Sequence, residues 1–241
     1  MENKVLGIIS YDGSKFFGMQ IQPDKKTIEG EIQKALNKLN INSQIQHAGR
    51  TDTGVHALNQ VISFNAPQFW DLEKLKNSLN KIIHPYIHIK KLTLTSDDFH
   101  PRFSAKKRSY RYILTPHFSP HTADYTTYYP KDINKELLKK ALKTLEGRHD
   151  FEYFSKTGSE VNNFIREIYE TKIYSYKDKT IIKITGNGFL RGQIRIIVDF
   201  LLKINENKLS LKDLELQLNK KKLINKHLAA PNGLYLERIW Y

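Results

Sequence analysis

The stretch IQHAGRTDTGVHALNQVISF, Ile45 to Phe64, decides how this chain is read. Ile45 to Ala48 and Gln60 to Phe64 have the apolar make-up of strands, and Ala66-Pro67 closes the second. Between them, Thr51-Asp52-Thr53-Gly54 is a tight-turn signature, because aspartate hydrogen-bonds its own backbone and glycine supplies positive φ. Upstream, Val5 to Tyr11 is a strand pattern ended by Asp12-Gly13. Thr27 then caps a helix with Ile28, Ile32, Leu36 and Leu39 at helical spacing. Downstream, Asp71 starts a second helix with Leu72, Leu75, Leu79, Ile82 and Ile83 on one stripe, and Ile87 to Leu94 alternates as a strand. The order is strand, helix, strand, strand, helix, strand.

The remainder repeats that order without sequence identity to the first half. Tyr110 to Leu114 is a strand and Asn134 to Glu146 a helix carrying Leu138, Leu142 and Leu145. Ile168 to Tyr176 and Thr180 to Thr185 form a hairpin about Lys177-Asp178-Lys179. Phe189 to Ile204 is a strongly apolar helix, Leu211 to Leu218 a shorter one, and Leu234 to Ile239 a closing strand. The expected fold class is α+β: two ferredoxin-like βαββαβ units flanking a central cleft, with antiparallel or mixed sheets and helices packed on one face. The expected division is residues 1–100, which carry the Asp52 turn, and residues 101–241, with the boundary where His100-Pro101 breaks the pattern.

With 241 residues, 39% hydrophobic and 11% aromatic, the chain can bury real cores. The absence of cysteine excludes disulfides, thiolate chemistry and cysteine-based zinc or iron–sulfur sites, and fits a reducing compartment. Val5 to Ile9 is too short for a signal-peptide core or a membrane span, so a cytoplasmic protein without a membrane partner is expected. A formal charge of +14 suggests a polyanionic partner, most simply nucleic acid. Lys, Asn and Ile are all abundant, as a biased genome can produce, so the placement of arginines tells more than the total.

Asp52 read alone is a solvated turn residue. To act as a nucleophile it must stay ionised in a partly dry site, which calls for a nearby cation. Arg50 lies two residues away. Arg195 is the other candidate, since its neighbours Ile194, Ile196, Ile197 and Val198 point to a buried helix, where an arginine requires an anion. A pairing with Asp199, four residues on, or with solvent would satisfy it equally. The run Lys106-Lys107-Arg108-Ser109-Tyr110-Arg111-Tyr112 interleaves cations with rings, a mixture suited to RNA, although a strand with a charged outer face has the same composition. Lys25-Lys26, Lys90-Lys91, Lys139-Lys140 and Lys220 to Lys222 are read as solvated faces. His47 and His56 flank the turn without a metal-binding spacing, so no metal site is expected, and phosphate-loop and dinucleotide fingerprints are absent.

Six blocks together resemble the tRNA pseudouridine synthases of the TruA type. GRTDTGVHAL resembles that family's GRTDAGVHA catalytic motif. Tyr11-Asp12-Gly13 with Phe17-Gly18-Met19-Gln20 resembles its YDG and GWQ signature, and Arg102-Phe103-Ser104-Ala105 with Tyr110-Arg111-Tyr112 its RFSA and YRY segment. Gly147, His149, Asp150 and Phe151 resemble GxHDF, Gly188-Phe189-Leu190 with Arg195 the FL…MVR helix, and Ala230-Pro231 with Gly233-Leu234-Tyr235-Leu236 the closing APxGLYL strand. Thr53, Met19 and Gln193-Ile194 depart from the family's Ala, Trp and Met-Val, none of them an expected catalytic group.

The resemblance implies isomerisation of uridine to pseudouridine at about positions 38 to 40 of the tRNA anticodon stem-loop, by a homodimer and without a cofactor. It implies that Asp52 is the catalytic aspartate, that Tyr110 stacks on the target base and that Arg195 pairs with Asp52. It implies too that Arg50 fills the space left by the flipped nucleotide; Lys106, Lys107, Arg108 and Arg111 of the basic run are then expected to bind RNA. Gly49 and Gly54 then let RNA approach the backbone, and His56 is structural. Two rivals stand beside this. Asp52-Thr53-Gly54 is also the tripeptide of aspartic proteases, but those need two facing carboxylates and the chain has no second copy. An RNA-binding module that kept the fold without activity is the other.

Overall fold

The computed structural model describes residues 1–156, 158 and 163–241. They form two compact units, residues 1–106 together with 235–241, and residues 107–234. Five α-helices lie among the described residues.

The first unit contains β1 (Glu2–Tyr11), α1 (Ile28–Lys38), β2 (Gln46–His47), β3 (His56–Pro67), α2 (Leu72–Ile83) and β4 (Ile87–Leu94). The strands run β4-β1-β3, and β2 pairs with β3. All of these pairings are antiparallel, which is the split βαβ order of a ferredoxin-like unit. Thr27 caps α1 by accepting from Gly30 N, and Asp71 caps α2 by accepting from Lys74 N. The stripes Ile28, Ile32, Ala35, Leu36 and Leu75, Leu79, Ile83 are buried, so the two helices stay folded by covering apolar surface.

Two elements differ from the sequence pattern. β4 buries Ile87, Ile89 and Leu92 and exposes both Lys90 and Lys91, because a register shift opposite Ile8 and Ile9 inserts one residue. β3 begins at His56, inside the turn motif, four residues before the apolar run that announces it. Its first residues are held by a distant partner: His56 and Ala57 pair in parallel with Tyr235 and Leu236 of the last strand, β10 (Leu234–Trp240). Such a long-range pairing leaves no local mark in the sequence.

The second unit contains β5 (Lys107–Thr115), β6 (Thr127–Tyr128), α3 (Lys135–Thr144), β7 (Gly147–Asp150), β8 (Ile165–Tyr176), β9 (Lys179–Gly186), α4 (Gln193–Asn205) and α5 (Leu211–Leu218). Its strand order is β5-β9-β8-β7 with antiparallel neighbours, and β6 pairs in parallel with β5. The β8–β9 hairpin turns on Lys177 and Asp178, with Lys177 at φ 53°, so Tyr176 faces Lys179. α4 starts at Gln193 rather than Phe189, because Gly192 takes the left-handed conformation and breaks the helical run. Its buried residues include Ile194, Ile196, Ile197, Val198, Phe200 and Leu201, the core of this unit.

Glycines set the closest approaches in the first unit. A Cβ on Gly13 would lie 1.9 Å from the Val55 carbonyl oxygen, and one on Gly18, whose φ is +90°, would lie 2.7 Å from that of Thr51. A Cβ on Gly49 would meet nothing within 4 Å. Gly13→Ala is therefore expected to lower unfolding stability by at least ~1–3 kcal/mol, the usual cost of overpacking, and here against backbone that cannot rotate away. Gly49→Ala should stay within about 0.5 kcal/mol of the parent. Urea unfolding midpoints of the two variants check the contrast.

Candidate active site

The Asp52 turn is held from both sides. Val55 N donates to the Asp52 carbonyl (3.1 Å), closing a β-turn with Gly54 at φ +79° in its third position. Met19 N donates to the Thr51 carbonyl (3.1 Å), and the Thr51 and Tyr11 hydroxyls bond at 2.8 Å, both residues buried. The Tyr11-Asp12-Gly13 and Gly18-Met19 segments thus form the bed on which the turn lies. Asp52 itself is half-buried and Arg50 exposed. Gln60, fully buried, donates to the Gly49 carbonyl (2.8 Å) and fixes the other end of the loop.

His56 is 1% exposed and stacks on Tyr235 at 4.6 Å between ring centroids. Its Nδ1 accepts from Gly13 N (3.1 Å), which places the ring proton on Nε2. It ties three segments together instead of facing a substrate. His47 lies on the strand entering the turn, with Nε2 3.9 Å from Glu29 Oε2 and Nδ1 buried without a hydrogen-bond partner among the described residues. Burial, aided by the cations Arg50 and Arg102 and opposed by Glu29, pushes its pKa below the usual value of 6.5.

Tyr110 and Arg195 belong to the second unit. Tyr110 lies on β5 opposite Ile184 and meets Phe189 edge to face at 5.3 Å, which fixes its ring plane. Arg195 is the third residue of α4, whose first turn holds no acidic side chain. A cation at the positive end of a helix dipole opposes the usual preference. The Arg195 Nε donates to the Ala229 carbonyl (2.6 Å). Asp199 receives Lys203 Nζ (2.9 Å) and Asn225 Nδ2 (2.8 Å). Gln193 is fully buried: its Oε1 accepts from Leu190 N (2.7 Å), while its Nε2 has no hydrogen-bond partner among the described residues.

Of the basic run, Arg108 Nη1 bonds the Asn187 carbonyl (2.9 Å) and braces the Gly186-Asn187-Gly188 loop, while Lys106 is exposed and Lys107 half-buried. Arg111 faces Lys183, and Lys183 faces Lys172, a row of three cations across β5, β9 and β8. Sequence reasoning passed over Lys172 and Lys183. Counting back from the two-residue hairpin turn pairs them, and that signal was available. The carbonyl that holds Arg195 carried no such signal, since Ala229 has no polar side chain. Among the described residues no three His, Asp or Glu side chains cluster to hold a metal, and no helix is long and apolar enough to cross a membrane.

A family model described as tRNA pseudouridine synthase matches residues 8–104 and 141–241. A Campylobacter jejuni subsp. doylei protein named tRNA pseudouridine synthase A is 45% identical over 241 residues, covering 99% of both chains. Proteins of the same name from Helicobacter hepaticus and Helicobacter pylori (strain P12) are 41% and 38% identical, each alignment covering 97% of both chains. Among solved structures, a chain of a Cbf5-Nop10-Gar1 complex overlays with a TM-score of 0.38 at 13% identity, covering 96% of this chain and 57% of that one. That likeness is too distant to carry an argument.

His47 gives the site region a measurable pH dependence. The folded chain holds the imidazole's pKa below the value near 6.5 at which the unfolded chain protonates it. Unfolding therefore takes up a proton, and stability falls as pH drops below that value towards the folded pKa. His47→Gln should flatten the difference in urea midpoint between about pH 7.5 and about pH 5.5, because its amide does not titrate. An unchanged difference would show that His47 contributes nothing to it.

Proposed function

The chain belongs to the tRNA pseudouridine synthase family, an isomerase family acting on tRNA, and from that premise we propose that it converts uridine to pseudouridine at about positions 38 to 40 of the anticodon stem-loop with Asp52 as the catalytic group. The reaction breaks the bond from N1 of the base to C1′ of the sugar, turns the uracil, and forms a bond from C5 to C1′. The C5 proton is lost and N1 regains one, so the atoms balance without a co-reactant. A stacked uridine is out of reach inside a stem and must be extruded, at a cost of a few kcal/mol. Arg50, exposed and held by no hydrogen bond or ion pair among the described residues, offsets part of that cost by filling the gap.

Asp52 works on the extruded nucleotide at C1′, C6 or the C2′ proton, and a single carboxylate is compatible with each. Tyr110 stacks on the uracil while it is detached, since a ring face tolerates rotation in plane. Its edge contact with Phe189 leaves that plane defined. Arg195 keeps Asp52 ionised and aimed, with the dipole of α4 adding to its field. Lys106, Lys107, Arg108 and Arg111 contact phosphates, extended by the Lys183–Lys172 row. The enzyme acts in the cytoplasm as a homodimer whose subunits share one tRNA.

The observation that carries the reading is the bed beneath Asp52, which spends two glycines and a buried Tyr11–Thr51 hydrogen bond on fixing one turn. Asp52→Asn keeps that geometry and removes the charge. It should abolish pseudouridine formation, assayed by tritium release from tRNA labelled at uridine C5, while the Kd for tRNA stays at the parent value. Substantial turnover by the purified variant would overturn the assignment. Gly49→Ala should fold normally, since its methyl enters open space among the described residues, yet lower turnover, because that is the side we assign to the approaching RNA.

A further inference from the structure

Arg195 has a long side chain with many rotamers, so holding it in one direction takes a fixed partner. The structure supplies a strap. Residues 225–229 run alongside α4 from Lys203 back to Arg195, and Ala229 grips Arg195 twice: its carbonyl accepts from Nε (2.6 Å) and its N–H donates to the Arg195 carbonyl (3.1 Å). A carbonyl can aim a guanidinium only if it is itself immobile, and both ends of the strap are pinned.

At the first end stands Asn225, 4% exposed. Its Nδ2 donates to Asp199 Oδ2 (2.8 Å) and its Oδ1 accepts from Lys203 Nζ (2.8 Å) and His227 N (3.2 Å), so it bridges two residues of α4 one turn apart. Its backbone is fixed by Gln217, fully buried on α5, which uses all four of its hydrogen-bonding positions. Oε1 accepts from Ile224 N (2.9 Å) and Asn225 N (2.7 Å), and Nε2 donates to the Asn225 and Tyr153 carbonyls (2.8 and 3.1 Å).

At the second end, the fully buried Tyr112 donates from its hydroxyl to the Ala230 carbonyl (2.8 Å), the residue after the grip. Burial pushes that phenol's pKa up to about 12, so the donor is kept at any working pH. The Thr127 hydroxyl, 2.7 Å from the same oxygen and 3.0 Å from Asn232 Oδ1, donates its one proton to either, and Asn232 Nδ2 holds the Ala123 and Thr126 carbonyls (2.6 and 2.9 Å). Ile113 N closes the strap on the Gly233 carbonyl (2.9 Å).

We propose that the 225–233 strap aims the Arg195 guanidinium through the Ala229 carbonyl, and that Asn225 and Tyr112 are positioning residues for the reaction. The proposal rests on the reading that Arg195 serves Asp52. Neither residue touches the reacting atoms; each acts by keeping the Ala229 oxygen where the Nε–H can find it. Tyr112→Phe keeps the ring and deletes one pin, and Asn225→Ala deletes the other.

Two readouts on the full-length protein test this. The first is hydrogen exchange of the Arg195 Nε–H by NMR, assigned by its loss in Arg195→Lys. The second is the single-turnover rate at saturating tRNA, normalised to tRNA-binding sites so that misfolded protein does not count. Exchange should accelerate in both variants and the rate should fall about tenfold, the scale of a modest misplacement of a catalytic group, with the Kd for tRNA unchanged. An Nε–H that stays protected, or a normalised rate equal to the parent's, would overturn the strap. Arg195→Ala separates the two levels: activity near the parent's there overturns the catalytic reading of Arg195, whereas an inactive Arg195→Ala beside a fully active Tyr112→Phe overturns the strap alone.

Discussion

The backbone of Gly13 lies so close to the Val55 carbonyl that a single added methyl would overlap it, and the rest of the first unit is arranged around that contact. Backbone can approach backbone in this way only where a side chain is missing, and polar backbone buried by such an approach must be paired. His56 supplies one pairing by accepting the Gly13 N–H, and is itself fixed by stacking on Tyr235. Thr51 supplies others through Tyr11 and Met19. The result is a turn whose shape is set by its neighbours, so that Asp52 is presented without having to stabilise its own loop. His56, which sequence proximity makes look catalytic, is spent on this task.

The second unit faces the opposite difficulty, which is to hold a cation where electrostatics disfavours it. Arg195 sits in the first turn of α4 with no acidic neighbour in that turn. A cation so placed opposes the helix dipole, a cost of a few tenths to about 1 kcal/mol. The Ala229 carbonyl, an acceptor without charge, supports the guanidinium there. Asp199, the carboxylate one helical turn on, is engaged by Lys203 and Asn225.

Much of this was legible in the residues. Thr27 and Asp71 are caps where their side chains say they should be, and α5 runs over the predicted Leu211–Leu218. The apolar stripes of α1 and α2 are the buried ones, because periodicity reports burial directly. What stayed hidden depends on distant partners or on backbone atoms. β3 starts early because β10 pairs with it, the bulge in β4 exists because β1 shifts register, and the grip on Arg195 comes from an alanine carbonyl. The role of Asp52 was open from its local sequence, which describes only a turn; six blocks in family order gave it a chemistry to test.

The most direct measurement is a map of pseudouridines in unmodified tRNA after incubation with the purified protein. The account predicts new pseudouridine at about positions 38 to 40 of the anticodon arm and nowhere else in the molecule. Pseudouridine confined to another arm would contradict the proposed substrate site, and none at all under conditions where tRNA is bound would contradict the chemistry assigned to Asp52.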